Sequence, residues 1–409
     1  MGSWVVEMQP TRSIYKVPPF ISKINEIAYK PQLVSFGPYH YGDPQLAWME
    51  AHKRRAYLRF IDRSGRNAEE VYNIIAEMAQ HLKDSYDSLD SKWKYNTNGF
   101  VQLMILDGCF MLELIHVYKY KNYYSNDDPV FSRHGKFYVM QFIKADILML
   151  ENQLPMSLLL KLKDILNDSE HDIEALNKDI LWLLSYNISN HPKMGECLHV
   201  LHLYRKSLLH IDNEHENAAP RFADRGEEKN DEVSHNFYCI ATKLYLAGVR
   251  FEKSRSNSLR DITFDDGILK IPNFIVDRYS KSMFLNLMAF ECCYILAGND
   301  ITSFVAFMDH IIDDEHDIKL LTSGEIITNF IGTDKKAANL FNTMSKDLVM
   351  EMNNNLCQVY NNLISYCNKP WPKHRANVVL TYFREPLSII SICLFYLSVV
   401  QTIFTIIKG

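Results

Sequence analysis

Between residues 69 and 89 apolar side chains recur at Val71, Ile75, Met78, Leu82, Tyr86 and Leu89. Steps of three and four put them on one face of a helix. The same period returns at Phe341, Met344, Leu348, Met352, Leu356, Val359 and Leu363 and predicts one long helix over 335–367. Core packing is the first use of that stripe. The asparagines at 353–355, Tyr360 and Asn361 lie off it and suit a partner-binding face. Residues 100–120 are apolar almost all round, which predicts a buried central helix carrying Asp107 and Glu113. Further helices are expected at 45–63, 137–153, 157–167, 238–248, 284–296 and 303–312. Alternation with period two is clear only at 261–272, where Asp265-Asp266-Gly267 sits between two apolar runs and predicts a hairpin. The fold class that follows is mainly α: a large helical domain with one small β-hairpin.

Two stretches depart from these periods. Between 212 and 232 the chain carries eight acidic and three basic residues and almost no aliphatics. The segment 212–235 reads as a polar linker that splits a helical body, residues 1–385, into two lobes. Residues 387–407 are 21 in a row without a charge, bounded by Arg384, Glu385 and Lys408. At ~1.5 Å per residue they reach roughly 32 Å, the depth of a bilayer's hydrocarbon. This predicts a C-terminal transmembrane helix, although six hydroxyl side chains and Gln401 also suit a buried core helix. Lys369, Lys373, Arg375 and Arg384 precede the run, so the positive-inside rule places the bulk in the cytosol. The first seven residues lack a basic start and a long apolar stretch, so the segment reads as a single-pass tail anchor.

Composition narrows the function. Lys+Arg 44 against Asp+Glu 49 gives a net charge of -5, which excludes a phosphate-driven nucleic-acid binder. Eight cysteines without a Cys-x-x-Cys suggest a reducing compartment. Phosphate-binding glycine loops and the nucleophile-elbow motif do not occur. His199-Val-Leu-His202 has metal-ligand spacing, but no Glu completes a His-Glu-x-x-His motif, and two structural helix histidines are expected. Cys109 with His116 could pair as nucleophile and base, yet a thiol inside an apolar helix is shielded. Asp146 and Glu151-Asn152-Gln153 gather carboxylates and amides near a helix end. Paired carboxylates can do acid–base chemistry, while capping and loop-tying are the commoner use. No catalytic, cofactor or metal site is expected.

Several segments are more specific than their periods. They include Ile14-Tyr-Lys-Val-Pro18, Val34-Ser-Phe-Gly37-Pro38-Tyr39-His40-Tyr-Gly42, Leu106-Asp107-Gly-Cys-Phe110 and Asp146-Ile-Leu-Met-Leu-Glu151-Asn152-Gln153-Leu-Pro155. Gly267-Ile-Leu-Lys-Ile-Pro272 and Asn286-Leu-Met-Ala-Phe-Glu291 follow after the linker. In this order they resemble the plant family called domain of unknown function 247, over nearly the whole chain. His202 stands where that family usually has Asp, and Leu387 where it has Trp, so a family-wide metal pair is disfavoured. The resemblance implies a single-pass protein with a C-terminal anchor, no established catalytic residues, and a buried structural role for Asp107, Asp146, Glu151, Asn152 and Gln153. Some grass members are tied to self-incompatibility. The expectation is a membrane-anchored, non-enzymatic interaction or signalling protein with an unknown protein partner, the membrane contacted through 387–407, no cofactor and no nucleic acid. The alternatives are a self-recognition determinant, or a hydrolase or transferase hidden in the helical body.

Overall fold

The structure, a computed structural model, describes residues 12–120, 124–167, 172–184, 192–211, 239–347, 352–382 and 394–404. The chain is mainly helical and forms two units. One comprises Met1–Asp212, Arg278–Thr302 and Lys346–Val349, the other Asn213–Asp277, Ser303–Ser345 and Met350–Gly409.

The first unit is built around the Thr97–Lys119 helix, which buries 15 of its 23 residues, Asp107 and Glu113 among them. Helices Ala47–Ser64, Ala68–Ala76, Met156–Asn167 and Ile173–Leu184 pack around it. Gly108 permits the closest approach, since a Cβ there would lie 2.4 Å from Leu162 Cδ1. Phe36, Phe60, Phe100 and Phe110 fill this core.

Helices also dominate the second unit, but it holds two small sheets. Strand Ile268–Ile271 pairs antiparallel with Thr263–Asp265 and parallel with Arg250–Lys253. Asp266 (φ 43°) and Gly267 (φ 76°) make the tight turn, both in the left-handed region that an Asp-Gly pair tolerates. Phe274–Val276 pairs parallel with Ile327–Asn329. The expected lone hairpin is therefore one edge of a three-stranded sheet beside a second sheet. Strands of three or four residues are too short to announce themselves by alternation.

Three expected helices end early or break. The stretch 69–89 divides into Ala68–Ala76 and Ala79–Asp84, after which the Ser85 carbonyl accepts the N–H groups of Ser13 and Ile14. The stretch 137–153 holds Arg133–Tyr138 and Met140–Ile147, and Glu151, Asn152 and Gln153 lie beyond any helix. Gln153 Nε2 donates to the Ile147 and Met149 carbonyls, and Asn152 Nδ2 to the Asp146 carbonyl, so these acceptors leave the helical ladder. The long helix over 335–367 is two, Asp334–Asp347 and Asn354–Cys367. Asn353 caps the second by accepting the Leu356 N–H, and its own N–H donates to Ser303 Oγ.

Among the described residues the one helix long and apolar enough to cross a membrane is Thr97–Lys119, and 83% of its apolar window is buried inside the fold. It is a core helix. Of the expected span 387–407 only the Leu394–Phe404 helix is described, and its 11 residues cover about half a bilayer core. The polar linker 212–235 lies outside the described residues.

Candidate functional site: an N-terminal strap held by buried polar side chains

Residues 13–40 run across the first unit with only two short helical turns, Pro19–Ser22 and Glu26–Tyr29. A chain in that state carries many unpaired backbone groups and must find partners elsewhere if it is buried. The partners are side chains of the body. Asp146 accepts the N–H groups of Gln32 (2.9 Å), Leu33 (2.7 Å) and Val34 (2.9 Å). Asn152 accepts the Phe36 N–H at 2.6 Å and returns a bond to the Val34 carbonyl at 3.0 Å. Asp107 accepts the Gly37 N–H at 2.8 Å. Glu151 accepts the Val17 N–H at 2.6 Å. From the Ser280–Cys293 helix, Asn286 donates to the Ala28 carbonyl at 2.8 Å and accepts the Leu150 N–H at 2.9 Å.

Each residue of Gly37-Pro38-Tyr39-His40 has a distinct place in this lacing. Gly37 takes φ +74°, and a Cβ on it would stand 2.8 Å from the Tyr86 hydroxyl and 3.0 Å from the Gln153 carbonyl. The Pro38 carbonyl accepts Trp93 Nε1–H at 3.2 Å. The Tyr39 hydroxyl donates to the Ile14 and Asp87 carbonyls. His40 Nε2 lies 3.3 Å from the Glu151 carboxylate. Gln153 joins the strap's floor to the Val200–Leu209 helix by accepting the Leu201 N–H at 2.9 Å.

Beneath the strap Lys53 is fully buried between two carboxylates, Asp107 at 2.7 Å and Glu50 at 2.8 Å. Burial alone would lower its pKa, but the two carboxylates hold it above the ordinary lysine value. Asp107 moves the other way. Burial pushes it up to about 6, against the pull of Lys53 and the Gly37 N–H. Burial is the main reason for the Asp107 rise, and the neighbouring Glu50 carboxylate adds a smaller push in the same direction. Burial likewise raises Asp146 to about 6 despite its three N–H donors.

The histidine pair serves the strap too. His199 is buried, donates from Nε2 to the Ser13 carbonyl at 3.0 Å, and accepts the His202 N–H on Nδ1 as the cap of its helix. His202 Nδ1 accepts the Leu198 N–H at 3.2 Å. Burial depresses the pair to about 3 and about 4. No cluster of three or more metal-ligating side chains occurs among the described residues. Cys109 is buried in the Thr97–Lys119 helix with its thiol pushed well up by burial, while His116 is depressed to about 4 by burial and Arg63.

The structure thus brings Asp107, Asp146, Glu151, Asn152 and Gln153 together beneath the strap, of which the Gly37–His40 stretch is a part. Lys53, Asn286 and His199 belong to the same set, and the sequence analysis did not assign them to it. Their signals were faint: a lysine on the apolar face of 45–63, and an asparagine inside an otherwise apolar 284–290. In the same unit Arg205 meets Glu291 at 2.6 Å, and Glu291 also accepts the N–H groups of Ile301 and Thr302. Chemically the arrangement grips backbone: the oxygens of Asp146 and Asp107 already accept N–H groups or face an ammonium.

The comparisons follow the same segments. A family model described as a plant protein of unknown function matches residues 14–400, from the first strap residues to the exposed C-terminal helix. The UPF0481 protein At3g47200 of Arabidopsis thaliana is 28% identical over 93% of this chain and 82% of its own length. The putative UPF0481 protein At3g02645 of the same plant is 21% identical over 83% of this chain and 79% of its own. No solved structure matches. The chain belongs to the plant family of unknown function called domain of unknown function 247.

Proposed function

We propose that this is a bilayer-anchored, non-enzymatic protein-interaction protein whose helical body faces the cytosol. The observation that carries the reading is the Leu394–Phe404 helix, which leaves Leu394, Phe395, Tyr396, Leu397 and Phe404 exposed within an uncharged run of 21 residues. At about 2 kcal/mol for each large side chain, hydrating this helix costs on the order of 10 kcal/mol. Insertion into lipid removes that cost. The non-enzymatic part is supported by the strap: the acidic and amide side chains that could do chemistry hold backbone N–H and carbonyl groups instead.

Protease protection on membranes carrying an N-terminally tagged full chain tests the anchor and its direction together. Removal of the tag on sealed membranes, with the protein resisting carbonate extraction, is the expected result. A protected tag overturns the cytosolic placement. A protein that stays in the soluble fraction overturns the anchor. Crosslinking of the cytosolic face should then capture a reproducible protein partner, and turnover of a substrate by the purified chain would remove the non-enzymatic reading.

A further inference from the structure

The strap is pinned at Ala28, yet it holds three apolar side chains out into water. Phe20, Ile24 and Ile27 are 70%, 53% and 75% exposed, while Ile21, Ala28 and Tyr29 between and beside them are buried. Phe20 stands on the turn Pro19–Ser22, Ile27 on the turn Glu26–Tyr29, and Ile24 on the link between them. The Ala28 carbonyl accepts both Ser282 Oγ (2.6 Å) and Asn286 Nδ2 (2.8 Å), so the stretch cannot roll to hide them. Beside Ile27 a shallow cleft of about 410 Å³ runs between Ala28, Phe142 and Met149, with Arg278 and Lys281 on its wall. Lys23 is exposed between the two turns. The acidic side chain on this stretch, Glu26, is neutralised by Lys30 at 2.8 Å.

We propose that the face made by Phe20, Ile24 and Ile27, with Lys23 and Arg278 beside it, seats on an anionic lipid surface. Protruding apolar side chains next to cations are the pattern of shallow interfacial insertion, in which hydrocarbon enters the acyl boundary and cations meet headgroup phosphates. Charge complementarity favours this occupant. The inference rests on the anchored reading in one respect: a C-terminal anchor keeps the body near the bilayer, so a weak contact suffices.

The test uses the full chain in vesicles of 70% phosphatidylcholine and 30% phosphatidylserine, with a photoreactive benzoylphenylalanine at 24, at 27, at the exposed Tyr95 or at Phe395. Lipid adducts at 24 and 27 but not at 95 are expected. They should fall about fivefold for Lys23→Gln or Arg278→Gln, and about 25-fold for the two together, from the usual worth of a cation at such a surface. Both substitutions are at exposed positions, so an unchanged melting temperature is the control. Lipid adducts at 395 with none at 24 and 27 overturn this proposal and leave the anchor standing. Adducts at 24 and 27 with none at 395 do the reverse. Adducts from 24 and 27 to protein, whether a second copy or another chain, overturn the lipid assignment.

Discussion

At the scale of single residues the strap sets two opposing pH dependences. Asp107 and Asp146 have native pKa values of about 6, above their ordinary value of 3.8. A carboxyl raised in this way stabilises the fold below the unfolded value and loses that contribution as pH rises through 6. His199 and His202, at about 3 and about 4 against 6.5, do the opposite: their contribution is complete above 6.5 and is lost as pH falls toward 4. The unfolded histidines begin to protonate before the native carboxyls do, so stability should fall from pH 7 toward 5.5, and below that the carboxyls gain nearly what the histidines lose and the curve should flatten. Urea midpoints at pH 4.5, 5.5 and 7 measure it. His199→Asn, which keeps a capping acceptor and does not titrate, should flatten the fall, and an unchanged slope would refute the assignment. Side-chain deletions should rank by what they orphan. Asp146→Ala leaves three backbone donors without a partner, for about 3–5 kcal/mol. Glu151, partly buried and holding one N–H and His40, should cost about 1–2 kcal/mol on substitution by alanine. Equal effects at the two positions would contradict the geometry.

Elements show where periodicity informs and where it misleads. The Thr97–Lys119 helix was legible because an apolar surface on every side has one solution, burial at the centre. The 261–272 hairpin was legible because Asp-Gly favours its turn. The breaks were not. A helix interrupted at 77–78, or ended at Ile147 rather than Gln153, keeps its apolar period through the interruption. Near the end at Ile147 a side chain competes for the backbone, with Gln153 Nε2 donating to the Ile147 and Met149 carbonyls, and the sequence signal of that is an ordinary amide residue. Asn353 is the mildest case, since one of three adjacent asparagines caps the Asn354–Cys367 helix. Asn353→Ala should cost about 1 kcal/mol, while alanine at the neighbouring Asn355 should change the melting temperature little. Gly37 is the severe case. Alanine there meets both a positive φ and the Tyr86 hydroxyl at 2.8 Å, so the strap must lift locally. Gly37→Ala should lower stability by more than about 2 kcal/mol and speed hydrogen exchange at the amides of 32–37. A variant with unchanged exchange there would show that the turn yields without loss.

For the whole molecule, the motif residues of the strap were legible through family resemblance, but their partners were not, because the bonds join positions far apart in sequence. Val34 reaches Asp146 across 112 residues, and Ala28 reaches Asn286 across 258. Neither distance leaves a periodic trace. The consequence is physical: the first unit is discontinuous, and residues 278–302 return to it after the chain has entered the second. A fragment ending at residue 211 would therefore keep the strap and the Thr97–Lys119 helix yet lose Asn286 and Glu291. Leu150 N–H and the Ala28 carbonyl would then lack partners, and the buried Arg205 guanidinium would lack its carboxylate. Water reaches these groups once the segment is gone, so the larger loss is the burial of apolar side chains such as Phe284, Leu285, Leu287 and Phe290, at about 2 kcal/mol each. Together they match or exceed about half the stability of a typical domain. Expressed alone, residues 12–211 should lack a cooperative thermal transition and near-ultraviolet dichroism. Joining 278–302 through a flexible linker should restore both. A short fragment that melts cooperatively at the full chain's temperature would mean that Asn286 and Glu291 add nothing to the first unit.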